Sequence, residues 1–89
     1  MKIKSGYMLR EVVGHYVVIP IGARTVDFTG VITLNSTGAF LWESISGGIT
    51  EDELEKKLIA EYGIDADTAH GDIRDFLNVL EDNDLLDTD

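Results

Sequence analysis

An α+β fold of the winged helix-turn-helix kind, with a three-stranded antiparallel sheet followed by three helices, is predicted by three observations. Residues 7–34 read as short β-prone runs. Residues 36–82 repeat apolar side chains at three- and four-residue intervals. The change of period falls in one stretch, Leu34-Asn-Ser-Thr-Gly-Ala-Phe-Leu-Trp42, where a short polar residue can cap the helix that follows. Periodicity alone establishes α+β, and the winged arrangement follows from the order of elements.

The first predicted strand covers Tyr7 to Val13 and the second Tyr16 to Ile21, with Gly14-His15 read as a type II′ hairpin turn. Pro20 cannot donate to a ladder, so the second strand must end, bulge or turn outward there. A looser connection, 22–27, leads to a third strand from Phe28 to Leu34. On it Phe28, Gly30, Ile32 and Leu34 share one face and Thr29, Val31 and Thr33 the other. In a meander this third strand lies at an edge.

The first helix is predicted from Ser36 to Ile45, with Ala39, Phe40, Leu41 and Trp42 directed inward and an end at Gly47-Gly48. The second is punctuated more sharply: Thr50 and Glu53 form an S/T-x-x-E capping box, Ile49 and Leu54 a hydrophobic staple, and Gly63 the C-terminal stop. Its apolar face is Leu54, Leu58, Ile59 and Tyr62. Asp65 or Asp67 caps a third helix carrying Ala69, Ile73, Phe76, Leu77 and Leu80, which frays near Asn83 and leaves Leu85 and Leu86 to pack back.

At 89 residues the chain supports one modest core and no large cleft between domains. It has no cysteine, which removes disulfides, thiolate nucleophiles and zinc-thiolate sites, and a cytoplasmic location is expected. No apolar run is long enough to span a bilayer. The net charge of −10 is unevenly placed: residues 1–34 hold four basic and two acidic groups, and residues 35–89 three basic and fifteen acidic ones. Such a helical half repels phosphate, so nucleic acid and anionic membranes are poor partners and a basic or neutral polypeptide is a better one.

The spaced residues Leu34-Asn35-Ser36-Thr37-Gly38, Trp42, Ile45, Gly47 or Gly48, Thr50, Glu53 and the closing Leu85-Leu86 resemble the family of pyrroloquinoline quinone synthesis protein D, the PqqD-like proteins. The resemblance runs from Tyr7 to Leu86 and implies a single peptide-recognition domain over residues 1–89. Two departures stand out: Asp84 occupies a position where the family often has Gly, and the connection between the second and third strands is long.

The resemblance implies a peptide-binding adaptor in the maturation of ribosomally made peptides, not an enzyme. The leader of a precursor peptide would add as a strand beside the third strand, lie against the third helix, and be presented to a modifying enzyme, commonly of the radical S-adenosylmethionine type. Carried onto this sequence, the peptide-binding residues are Thr29, Gly30, Val31, Ile32, Thr33 and Leu34 on the strand and Asp72, Asp75, Phe76 and Val79 on the helix. Physical reasoning supports that set. An edge strand offers unpaired backbone groups, and positions 72, 75, 76 and 79 cluster on one side of a helix, with Phe76 and Val79 as an apolar seat and the two aspartates at its rim. An open edge also suits pairing with a second copy as a homodimer.

Plainer readings compete at most of these positions. Trp42 and Phe40 are expected in the core, as aromatics in so small a chain usually are. Phe76 serves core or groove, or both through different ring edges, whereas Val79 lies one step off the buried stripe. His15 and His70 are too few and scattered for a metal site, and no cofactor is expected. Glu51, Asp52, Glu53 and Glu55 fill the first turns of a helix, where a solvated cap is the ordinary role. Asp72 and Asp75 have the same bland alternative. Ser36 and Thr37 have no His–acid pair to activate them, and Gly47-Gly48 lacks the context of a phosphate loop. The other functional classes are a winged-helix DNA regulator and a structural subunit of an enzyme complex. The first is disfavoured because residues 63–89 hold one basic residue, Arg74, against nine acidic ones.

Overall fold

The computed structural model describes residues 1–21 and 32–87. The elements run β1 (Lys2–Ile3), β2 (Tyr7–Val12), β3 (His15–Pro20), β4 (Ile32–Leu34), α1 (Ser36–Ser46), α2 (Glu51–Tyr62), α3 (Ala66–Asp82) and β5 (Leu86–Asp87). Strands β2, β3 and β4 form an antiparallel sheet in that order, so β4 is an outer strand, and three helices follow. The expected α+β architecture is therefore present. Thr29, Gly30 and Val31, and the rest of the predicted third strand before Ile32, lie outside the described residues.

Register and alternation together decide which sheet face is buried. Leu9, Val18 and Ile32 align across the three strands, as do Tyr16 and Leu34 on β3 and β4, and these side chains belong to or pack against the core. The intervening row, Arg10, Val17 and Thr33, faces away. Helices close the core with Leu41, Trp42, Ile45, Leu54, Leu58, Ala69, Ile73, Leu77 and Leu80, followed by Leu85 and Leu86. Pro20 sits at the last position of β3, where its missing N–H does least harm.

Two local readings are corrected. The hairpin turn centres on Val13-Gly14, one residue earlier than expected, with Val12 paired to His15. Both central residues have positive φ, 41° at Val13 and 83° at Gly14, as a type I′ turn requires. A β-branched residue is a poor occupant of that position, so the strand propensity of Val13 misled the sequence reading. Tyr62 is 43% exposed and does not join the buried face of α2; its ring meets Phe40 edge-on at 5.7 Å between centroids. The third helix ends at Asp82, near Asn83 as expected, where the Asn83 side chain donates to the Val79 carbonyl at 2.9 Å. A small sheet that periodicity could not disclose, β1 paired with β5, ties the two ends of the described chain together.

Val13→Asn is expected to stabilise the fold by about 1 kcal/mol, because Asn tolerates the left-handed region that Val resists. The side chain is 93% exposed, so no packing is lost. A thermal melt should show a rise of about 4–8 °C, and an unchanged or lower midpoint would refute the strain at this turn.

The helix starts match the capping chemistry. Asn35 accepts from the Gly38 N–H at 2.8 Å at the head of α1. Thr50 and Glu53 make the reciprocal capping box of α2, and Gly63 closes that helix in the left-handed conformation. At α3 the cap is Asp65, which accepts from the Thr68 N–H at 2.7 Å. After α1 it is Gly48, φ 87°, that takes the left-handed turn, while Gly47 remains right-handed. Asp84 also has positive φ, 56°, the conformation a glycine adopts freely and an aspartate tolerates.

Hydrogen bonds from Thr50 hold the Glu53 carboxyl below its ordinary value of 4.5, and those from Thr68 hold Asp65 below 3.8. A carboxylate whose pKa is lower in the folded state adds stability above its unfolded pKa and loses it as pH falls through the folded value. The chain should therefore lose stability on acidification through and below pH 4.5–3.8. A Glu53→Gln, Asp65→Ser variant keeps both capping geometries without titrating. Its urea midpoint should fall less between neutral pH and pH 3 than that of the parent; equal falls would contradict this origin of the acid sensitivity.

Candidate functional site

The site begins where the sheet hands over to the helices. Leu34 ends the outer strand, Asn35 turns the chain, and Gly38 lies buried in the first turn of α1. A Cβ at Gly38 would stand 3.2 Å from Leu34 Cβ, 3.3 Å from the capping Asn35 Oδ1 and 3.5 Å from Phe76 Cε1. The absent side chain thus leaves room for Leu34 and for the capping Asn35, while Phe76 of α3 stands at ordinary contact distance. Strand, first helix and third helix converge at one point.

Beside that point runs a groove of about 320 Å³, with Asn35, Thr37, Gly38, Leu41, Asp72, Asp75, Phe76 and Val79 among its lining residues. All four helix residues expected to bind peptide therefore face the same groove. The spacing explains why: positions 72, 75, 76 and 79 are three- and four-residue neighbours on a single helix. Ile73, Leu77 and Leu80 point the other way into the core. Phe76 is partly buried against the core and also lines the groove. Val79 is 42% exposed although apolar. Asp72 and Asp75 are exposed and make no ion pair or hydrogen bond with a described residue.

Of the strand residues expected at the site, Ile32, Thr33 and Leu34 form β4, paired on one side to Val18, Val17 and Tyr16. Among the described residues no strand pairs with the other side. Thr29, Gly30 and Val31 lie outside the described residues. Asn35, Thr37, Gly38 and Leu41 were not singled out as site residues by the sequence reading. A signal existed, since Asn35, Gly38 and Leu41 recur at three-residue intervals along the head of α1 and share a side of it.

Trp42 is 3% exposed and structural, as expected. The acidic first turns of α2 do more than remain solvated. Glu51 accepts from Arg74 at 3.0 Å and Glu55 meets His70 Nδ1 at 3.1 Å, so two carboxylates link α2 to α3. Glu51, Glu55 and His70 bring their ligand atoms within 4.8 Å of one another. Arg74 already occupies Glu51, and the contacts describe an interhelical clasp. Among the described residues no helix is long and apolar enough to cross a membrane.

The fold and groove define an α+β protein whose β4 is, among the described residues, an outer strand, flanked by a helix that carries an apolar and acidic rim. Over residues 15–86 the chain matches the model of the family described as Coenzyme PQQ synthesis protein D (PqqD), and it belongs to that family. No curated protein sequence matches it. Among solved structures it is similar to TbiB1 in complex with the TbiA(beta) leader peptide, with a TM-score of 0.77 and 25% identity over 100% of this chain and 98% of that one.

Proposed function

We propose that the protein binds the leader region of a ribosomally synthesised precursor peptide and presents it to a modifying enzyme. The observation that carries this reading is the strand β4, outermost among the described residues, beside a groove whose lining includes Asp72, Asp75, Phe76 and Val79, in a chain of the PqqD family. The similarity to a protein solved with its leader peptide supports it. An extended guest satisfies the vacant backbone groups without requiring any particular side chain, and the groove supplies selectivity.

The guest lies along residues 29–34 and against α3, with Phe76 and Val79 as its apolar seat. In this reading the protein is an adaptor and the chemistry belongs to the partner, an enzyme of the radical S-adenosylmethionine type acting in the cytoplasm. In the absence of guest the same strand edge can pair with a second copy of the chain. The test is reconstitution of the precursor with the enzyme encoded beside it. Conversion should depend on added protein and disappear when the leader is removed from the precursor. Full conversion without the protein would overturn the adaptor reading.

A further inference from the structure

We infer that the groove selects a guest strand carrying a lysine or arginine two residues from a bulky apolar side chain, both directed toward α3. The inference rests on the leader-binding reading above and names the chemistry of the segment bound. Its basis is the charge of the groove. Asp72 and Asp75 line it, and neither is neutralised by a described residue.

Among the described residues, three sources of positive potential could offset them. Arg74 is the single basic residue of α3, and its guanidinium is engaged by Glu51 at 3.0 Å and Glu81 at 3.9 Å. His70 is one turn earlier, against Glu55. The head of α1 contributes about half a positive charge, and the Gly38 N–H there is already taken by Asn35. Two full negative charges outweigh that half charge, so the groove favours a cation. Leu41, Phe76 and Val79 supply the adjoining apolar seat.

The spacing follows from the two repeats involved. Along α3 the rise from Asp72 to Phe76, or from Asp75 to Val79, is about 6 Å. Successive side chains on one face of a strand are about 6.6 Å apart. A guest with its basic group over the aspartates thus places the second residue along over the apolar seat. Its intervening residue faces away and is unconstrained.

The experiment is selection of a displayed random-peptide library on the intact protein, followed by amide-shift mapping of the enriched peptides. Enrichment of Lys or Arg two positions from a bulky apolar residue is expected. Asp72→Asn and Asp75→Asn should each weaken the enriched peptides up to about fivefold at low salt, with the difference shrinking as salt is raised. Enriched peptides that shift Ile32–Leu34 but show no basic preference, or a preference untouched by the asparagine variants, would overturn this inference and leave peptide binding intact. Peptides that bind without shifting those amides, or no enrichment at all, would overturn both.

Discussion

Trp42→Ala is expected to remove about 3–5 kcal/mol of stability, the usual cost of truncating a large buried aromatic. Trp42 is 3% exposed on α1 and belongs to the same buried cluster as Val18 of the sheet and the leucines of α2 and α3. A chain of this size is held together by roughly 5–10 kcal/mol, so one substitution consumes a large share of the margin. The melting temperature should fall by more than about 15 °C. Trp42→Phe, which preserves most of the volume, should cost much less. Near-parental urea midpoints for the alanine variant would mean that the helical layer is packed around a different centre.

Val79→Asn should leave the fold unchanged and weaken the leader complex by about three- to ninefold. Val79 is 42% exposed, and Asn is close to Val in helix propensity, so little folding energy is at stake. Full burial of such a side chain is worth about 1.5–3 kcal/mol. Burial of the exposed part alone accounts for about 0.6–1.3 kcal/mol, a factor of about three to nine. Strand addition supplies the remainder from several backbone hydrogen bonds at about 0.5–1.5 kcal/mol net each, against the cost of ordering the guest. Calorimetry with the leader encoded beside the gene measures the loss, and a thermal melt checks the fold. Unaltered affinity would remove α3 from the binding site.

Much of the fold was legible because local chemistry and tertiary packing agree. The Thr50–Glu53 box, the Asp65 cap and the Gly63 stop each satisfy backbone groups within a few residues, and all are present. Ala69, Ile73, Leu77 and Leu80 are buried as their spacing requires. What escaped depends on distant partners. The β1–β5 pairing joins residues at opposite ends of the chain, and two-residue strands carry no period. Tyr62 fits the apolar stripe of α2 by spacing, but it lies at the helix end, where its ring closes over Phe40 and leaves the rest to solvent.

The candidate site divides along the same line. Asp72, Asp75, Phe76 and Val79 follow from a helical repeat and share a groove, whereas Asn35, Thr37 and Leu41 line it through the approach of α3 to the head of α1. That approach is a property of two helices together, invisible to a scan of either. Asp84 shows how a departure from a family pattern can be conservative in conformation: its positive φ is the one Gly would supply.

The central claim is that an extended leader completes the sheet along β4. Amide hydrogen exchange with and without the leader measures it directly. The account predicts slowed exchange within Ile32–Leu34 together with altered resonances at Asp72, Asp75, Phe76 and Val79. Tight leader binding with exchange at Ile32–Leu34 unchanged would contradict it.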